Sequence, residues 1–255
     1  MADARPPTEA LLATDSLCRN FGGLAAVRDV SIKLLRGELH AVIGPNGAGK
    51  STLVNLLSGS LRPTSGSIAL EGSEVTGEPA WQMAQLGIGR SFQRTNIFRT
   101  MTVLENVRLA AQAVGTSADR LLRPAAREGS LIEAARAALA RAGLESGHER
   151  IAGTLSHGEQ RQLEVAMTLA VKPKVLLLDE PLAGMGPEEG ARFTGLLEAL
   201  ALEHAILLVE HDMDFVFGVA DWMTVMVDGA VLAEGKPEAI RSDIKVQRAY
   251  LGDHA

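Results

Sequence analysis

"GPNGAGKST", residues Gly44 to Thr52, decides how the rest of this chain is read. It fits the pattern G-x-x-x-x-G-K-[ST] and follows an apolar run from His40 to Ile43. The glycines let the backbone curl so that its N–H groups converge on phosphate oxygens, and the helix opened by the loop directs its positive end at the same charge. Lys50 is placed to reach the β- and γ-phosphates, and Ser51 to ligate Mg²⁺. A strand before and a helix after this loop predict an α/β domain with a triphosphate site.

A second element of such a site is an acidic residue that ends a buried strand. Val175-Leu176-Leu177-Leu178 followed by Asp179-Glu180 supplies it. Asp179 is positioned to hold the magnesium shell and Glu180 to polarise an attacking water, provided both lie at the carboxyl edge of the sheet that carries the glycine loop. Gln93, in "GRSFQRTNIF", offers an amide oxygen for the metal or the lytic water. His211 follows the apolar strand 206–209 and Glu210, where an imidazole can meet a γ-phosphate. A lone Gln or His means little without these neighbours. "LSHGEQ", Leu155 to Gln160, contains Ser156-x-x-Glu159, a capping box ahead of an apolar helix, with Gly158 where a backbone can approach a ligand.

Around these motifs the periodicity changes along the chain. Residues 1–10 read as a loose tail with Pro6-Pro7. From Leu11 to about Ile43, and again from Gly66 to Leu70 and at Val75, short β-like runs predict an antiparallel region leading into the buried strand 40–43. Residues 102 to about 150 are rich in Ala, Leu, Arg and Glu, and capping boxes at Thr102–Glu105 and Ser130–Glu133 predict helix starts near 102 and 130, with Gly143 as a stop. Helices over about 157–171 and 188–202 then alternate with strands 175–178 and 206–209, the pattern of a mostly parallel sheet. Asp228-Gly229, between apolar runs 224–227 and 230–233, predicts a hairpin.

Composition narrows the function classes. With 255 residues and 46% hydrophobic content the chain can bury a large core. A formal net charge of -6 argues against a nucleic-acid surface. The single cysteine, Cys18, rules out an intramolecular disulfide framework and fits a reducing compartment, where it reads as a packing residue. No run approaches the ~18 apolar residues of a membrane-spanning helix, so any role at a membrane requires a partner chain.

The order of Gly44–Thr52, Gln93, Leu155–Glu159, Asp179-Glu180 and His211 resembles the nucleotide-binding domain of an ATP-binding cassette (ABC) ATPase over nearly the whole chain. The resemblance implies a P-loop NTPase fold with a mostly parallel sheet core, an antiparallel β subdomain and a helical subdomain. It implies one nucleotide-binding domain over 11–255, with the helical part, about 95–165, inserted in a RecA-like core. By the same resemblance Gly44, Pro45, Asn46, Gly47, Ala48, Gly49, Lys50, Ser51 and Thr52 hold the phosphates of ATP. Ser51, Gln93 and Asp179 hold Mg²⁺, and Glu180 is the general base. Gln93 is the Q-loop glutamine, His211 the switch histidine, and Phe21 the aromatic that stacks on adenine. Ser156, Gly158 and Glu159 belong to the signature that completes the site of a second cassette.

The stretches Gly87–Val107, Leu207–Val216 and Ala249–Gly252 ("AYLG") are similar to ATP-binding subunits of branched-chain amino acid importers; urea-type importers share much of the pattern and lipopolysaccharide-export ATPases some of it. The implied assembly pairs two cassettes, identical or different, with transmembrane permease subunits at the cytoplasmic face of the inner membrane. A periplasmic or extracellular solute-binding protein acts only indirectly. Two departures stand out: His157 and Glu159 replace Gly and Gln of the usual Leu-Ser-Gly-Gly-Gln, and Met185-Gly186 stands where many relatives have Leu-Asp before Pro187. Rival readings share the motifs. A DNA-associated ABC-type ATPase would place long coiled coils between P-loop and signature, a translation-associated protein would carry two cassettes, and a P-loop kinase would need no signature.

Overall fold

The computed structural model describes residues 10–91, 96–113 and 128–251. The chain opens with β1 (Ala10–Phe21), β2 (Leu24–Val30) and β3 (Lys33–Leu35), then enters β4 (Glu38–Ile43), whose last five residues are buried. After the glycine loop come α1 (Lys50–Leu57), β5 (Ser65–Leu70), β6 (Ser73–Glu74), α2 (Ala80–Leu86) and β7 (Ile88–Arg90). Helices α3 (Val103–Ala113) and α4 (Glu128–Arg141) precede a short 3₁₀ turn and α5 (His157–Ala170). The remainder alternates: β8 (Val175–Asp179), α6 (Pro187–Ala201), β9 (Ala205–Val209), α7 (Met213–Val219), β10 (Trp222–Val227), β11 (Ala230–Gly235), α8 (Pro237–Ser242) and α9 (Ile244–Leu251).

The strands form two sheets. The first is antiparallel, in the order β2-β1-β5-β6 with β3 also on β1. The second runs β11-β10-β4-β9-β8-β7 and is parallel except for the β10–β11 hairpin. That hairpin turns at Asp228-Gly229, where both residues have positive φ (47° and 81°), the geometry of a type I′ turn. The central strands read as unbroken apolar runs because both faces are covered. In β8, Val175 and Leu177 face the α1 side while Leu176 and Leu178 face the helices α5 and α6, and β9 divides in the same way between Ala205, Leu207, Val209 and Ile206, Leu208.

Every parallel strand delivers its carboxyl end to one edge of the sheet. Asp179 pairs with Val209, and Val209 lies across from Val42, one residue before the end of β4. The glycine loop, Asp179-Glu180 and Glu210-His211 therefore leave the sheet side by side, the usual ligand edge of an open α/β fold.

Among the helices, α3 begins as expected. Thr102 Oγ1 accepts from the Glu105 N–H at 3.1 Å, and Glu105 Oε2 accepts from the Thr102 N–H at 2.8 Å. The second expected start, near 130, matches α4, whose described residues run from Glu128, and Ser130 lies inside the first described turn. Gly143, at φ 75°, follows the end of α4 and lets the backbone leave the helix in the left-handed region. Helices α3, α4 and α5 pack through Val103, Val107, Ala135, Leu139 and Leu163. Strand β7 and helices α2, α7, α8 and α9 have no counterpart among the expected elements; each spans eight residues or fewer. The tail to residue 9 lies outside the described residues, and Ala10 is already the first residue of β1.

Candidate active site

Gly49 opens α1 at φ 98° with no side-chain cap. A Cβ there would lie 2.3 Å from the Ala26 carbonyl oxygen, so only glycine allows the loop to pass this close to the antiparallel sheet. The first-turn N–H groups of a helix have no partners within it, and a helix opened by glycine presents them without a competing side chain. Lys50 is buried, and its Nζ donates to the carbonyls of Gly44 at 2.6 Å and Pro45 at 3.0 Å. Burial lowers its pKa, against the pull of Glu180 and Asp179.

Asp179 is buried at the end of β8. Burial pushes its carboxyl above the ordinary range; Arg90 opposes this most, Glu180 adds to it, and a hydrogen bond from Ser51 and the charge of Lys50 draw it down. Among the described residues its Oδ1 has no hydrogen-bond partner. A buried, orphaned carboxylate oxygen beside a hydroxyl suits a hard cation. No group of three His, Cys, Asp or Glu among the described residues forms a metal cage, so such a cation would also need oxygens from a phosphate ligand, as Mg²⁺ commonly does.

Glu180 takes φ 49°, and its N–H bonds to the Val209 carbonyl at 2.8 Å. A left-handed non-glycine residue is uncommon and concentrates at functional sites. Glu180 lines one pocket with Phe21, Arg28, Lys50, Ser51 and Asp228. Phe21, 44% exposed at the end of β1, carries the Arg19 guanidinium 4.7 Å from its ring centroid.

His211 lies at the same edge but outside that lining. Its side chain is 68% exposed, with Nδ1 3.7 Å from Glu210. Glu210 is buried and accepts from the N–H groups of Leu182 at 2.9 Å and His211 at 3.3 Å. Burial raises its pKa most, and those N–H groups lower it. Gln93 lies outside the described residues, as does Gly252 of the "AYLG" stretch.

The "LSHGEQ" stretch forms the N-terminus of α5. Ser156 caps it: its Oγ accepts from the Glu159 N–H at 3.2 Å, and Glu159 Oε2 accepts from the Ser156 N–H at 2.8 Å. Arg150 holds Glu159 with two contacts, at 2.5 Å and 3.1 Å. This gives Glu159 a physical reason to replace a glutamine, because a carboxylate pairs with a guanidinium through both oxygens. That pairing depresses its pKa. Ser156, Gly158 and Glu159 line a second pocket, with Met185, Glu189 and Arg192, which shares no residue with the pocket around Lys50.

A family model described as "ABC transporter" matches residues 27–183. The chain belongs to the ABC transporter family. A second model, described as "Branched-chain amino acid ATP-binding cassette transporter", matches residues 230–255. The chain is 42% identical over 253 residues to the high-affinity branched-chain amino acid transport ATP-binding protein LivG of Salmonella typhimurium, covering 96% of this chain and 99% of that one. It is 40% identical to the corresponding protein BraF of Pseudomonas aeruginosa, covering 95% and 98%. Among solved structures, a nucleotide-free ATP-binding cassette from an ABC transporter aligns at TM-score 0.86 and 30% identity, over 96% of this chain and 100% of that one. The ADP conformation of the cassette MJ1267 aligns at TM-score 0.86 and 31% identity, with the same coverage. The mixed sheet core with an antiparallel β sheet and packed helices is thus the fold of an ABC cassette.

Several residues in or beside these pockets escape sequence reading. Asp228 is legible only as a turn residue, and Arg28 has no motif. Arg19 carries a faint signal, since residues two apart on a strand share a face and it precedes Phe21 by two. Glu189 meets Ser156 across 33 residues of sequence, beyond any local pattern.

Proposed function

We propose that this chain is the ATP-binding, ATP-hydrolysing subunit of an importer of branched-chain amino acids, acting at the cytoplasmic face of a membrane through separate permease subunits. One observation carries the two-subunit part of this reading. The loop suited to phosphates and the signature helix line separate pockets of one chain, so a site that uses both draws them from two subunits. The names of LivG and BraF support the amino-acid substrate, and the match at residues 230–255 extends that likeness to the carboxyl end. Among the described residues no helix is long and apolar enough to cross a membrane, which fits a peripheral subunit that relies on partner chains.

In this mechanism Gly44 to Thr52 cradle the phosphates of ATP, with Lys50 countering their charge, and Phe21 stacks on adenine. Asp179, Ser51 and Gln93 would hold Mg²⁺, which neutralises phosphate charge when bound. Glu180 accepts a proton from the attacking water as its oxygen bonds to the γ-phosphorus and the bond to the bridging oxygen of ADP breaks. His211 approaches the γ-phosphate by turning from Glu210 as the second subunit closes. Ser156 and Gly158 of that subunit, at the positive end of α5, bind the same phosphate from the other side. ATP joins the two faces, hydrolysis releases them, and the helical region around α3 and α4 passes the motion to the permeases.

Purification of the tagged chain from a membrane extract tests this assignment. Recovery of permease chains, with or without a second cassette, is the expected result. Recovery of DNA with no membrane protein would overturn it.

A further inference from the structure

We propose that Glu189 is an internal competitor for the phosphate-binding end of α5, so that the chain's own carboxylate must release Ser156 before a second subunit's nucleotide engages it. The inference rests on the reading of α5 given under the proposed function. Two hydrogen bonds place the carboxylate. Ser156 Oγ donates to Glu189 Oε1 at 2.9 Å, and the Gly186 N–H donates to Oε2 at 3.4 Å. A Cβ on Gly158 would come within 2.7 Å of Glu189 Cδ, so the carboxylate sits against the helix opening where glycine leaves it room.

This carboxylate offers the helix what a phosphate oxygen offers: negative charge, accepting from the Ser156 hydroxyl at the positive end of the helix dipole. Ser156 has one hydroxyl proton and cannot serve two acceptors fully at once. A γ-phosphate arriving there also meets a like charge at contact distance. Glu189 has somewhere to withdraw to, because Arg192 stands one turn further along α6, lines the same pocket and attracts it. Exchange of one anion for another at α5 then raises the ATP concentration at which the two subunits close. At the start of α6 the Glu189 carboxylate also reaches back to the Gly186 N–H, the N3 half of a capping box whose other half Gly186 has no side chain to supply.

The test is the ATPase activity of the assembled transporter, isolated through its permease subunits, measured across ATP concentration. Glu189→Gln keeps the size and drops the charge, and is expected to lower half-saturating ATP roughly fivefold, the change falling on half-saturation rather than on saturating turnover. A carboxylate that merely braces α5 against α6 would give the reverse, a higher half-saturating concentration and a lower melting temperature. That result, or no change, overturns the proposal. Ser156→Ala in the same assay separates it from the reading beneath it. If Ser156→Ala raises half-saturating ATP while Glu189→Gln fails to lower it, Glu189 alone is wrongly assigned. If Ser156→Ala leaves hydrolysis untouched, the role of α5 falls, and that of Glu189 with it.

Discussion

The N-termini of α1 and α5, which the proposed function assigns to one kind of ligand, are held in opposite states. Gly49 opens α1 with no side-chain cap, and Lys50 folds back onto the carbonyls of its own loop. Ser156 opens α5 with its cap closed by Glu159, Glu159 clamped by Arg150, and Glu189 on the serine hydroxyl. A glycine-opened helix end presents its N–H groups from the start. A serine-capped end already has acceptors and exchanges them for a ligand only when the gain is sufficient. In the proposed site the first end binds nucleotide within one chain, and the second responds to nucleotide held by another.

The largest expected effect separates chemistry from both helix ends. Glu180→Gln should retain ATP binding while hydrolysis falls by about a hundredfold to ten-thousandfold, the usual worth of a general base. Turnover at the normal rate would remove Glu180 from that role. Next comes the open end. Lys50→Ala removes a buried cation and should weaken ATP binding to the isolated chain by about tenfold to a hundredfold, in calorimetric titration, through lost charge-assisted contacts.

The smallest effect lies on the opposite edge of the sheet and sharpens the comparison by leaving both helix ends alone. His204 is buried, with Nδ1 2.9 Å from the Pro173 carbonyl and Nε2 3.0 Å from Arg141, so its neutral form donates to one and accepts from the other. Burial, with Arg141 next, lowers its pKa below the ordinary 6.5. The unfolded chain therefore takes up a proton as pH falls through about 6.5 while the folded chain resists it, so stability should fall with pH below that point. Melting temperatures of the native chain and of His204→Gln across pH 5 to 8 check this: the pH slope near 6.5 should shrink in the variant, and an unchanged slope would assign it to other groups.

The open end was far more legible in sequence than the closed one. Gly44–Thr52 and Val175–Glu180 announce themselves through glycine spacing and a continuous apolar run, both local signals whose meaning survives without the fold. The capping box at Ser156–Glu159 was equally local, and both of its hydrogen bonds form. What holds that end shut was not legible, because Arg150 reaches Glu159 only once the segment ahead of α5 folds back on it, and Glu189 reaches Ser156 only after α5 and α6 pack together. The three residues of β7 are too few for a period of two to show. Ser130 shows the reach of a local pattern: it marks α4 near its described start, yet lies within the helix.

The two-subunit site is tested most directly by Ser156→Ala, assayed once as the isolated chain and once in the assembled transporter. Calorimetric titration of the isolated variant with magnesium ATP should give unchanged affinity, since the pocket around Lys50 contains nothing from α5. The assembled transporter carrying the same variant should hydrolyse ATP about tenfold more slowly at subsaturating ATP, the worth of one hydrogen bond to a charged group. Weakened binding in the isolated chain, or full hydrolysis in the assembly, would contradict a site shared between subunits.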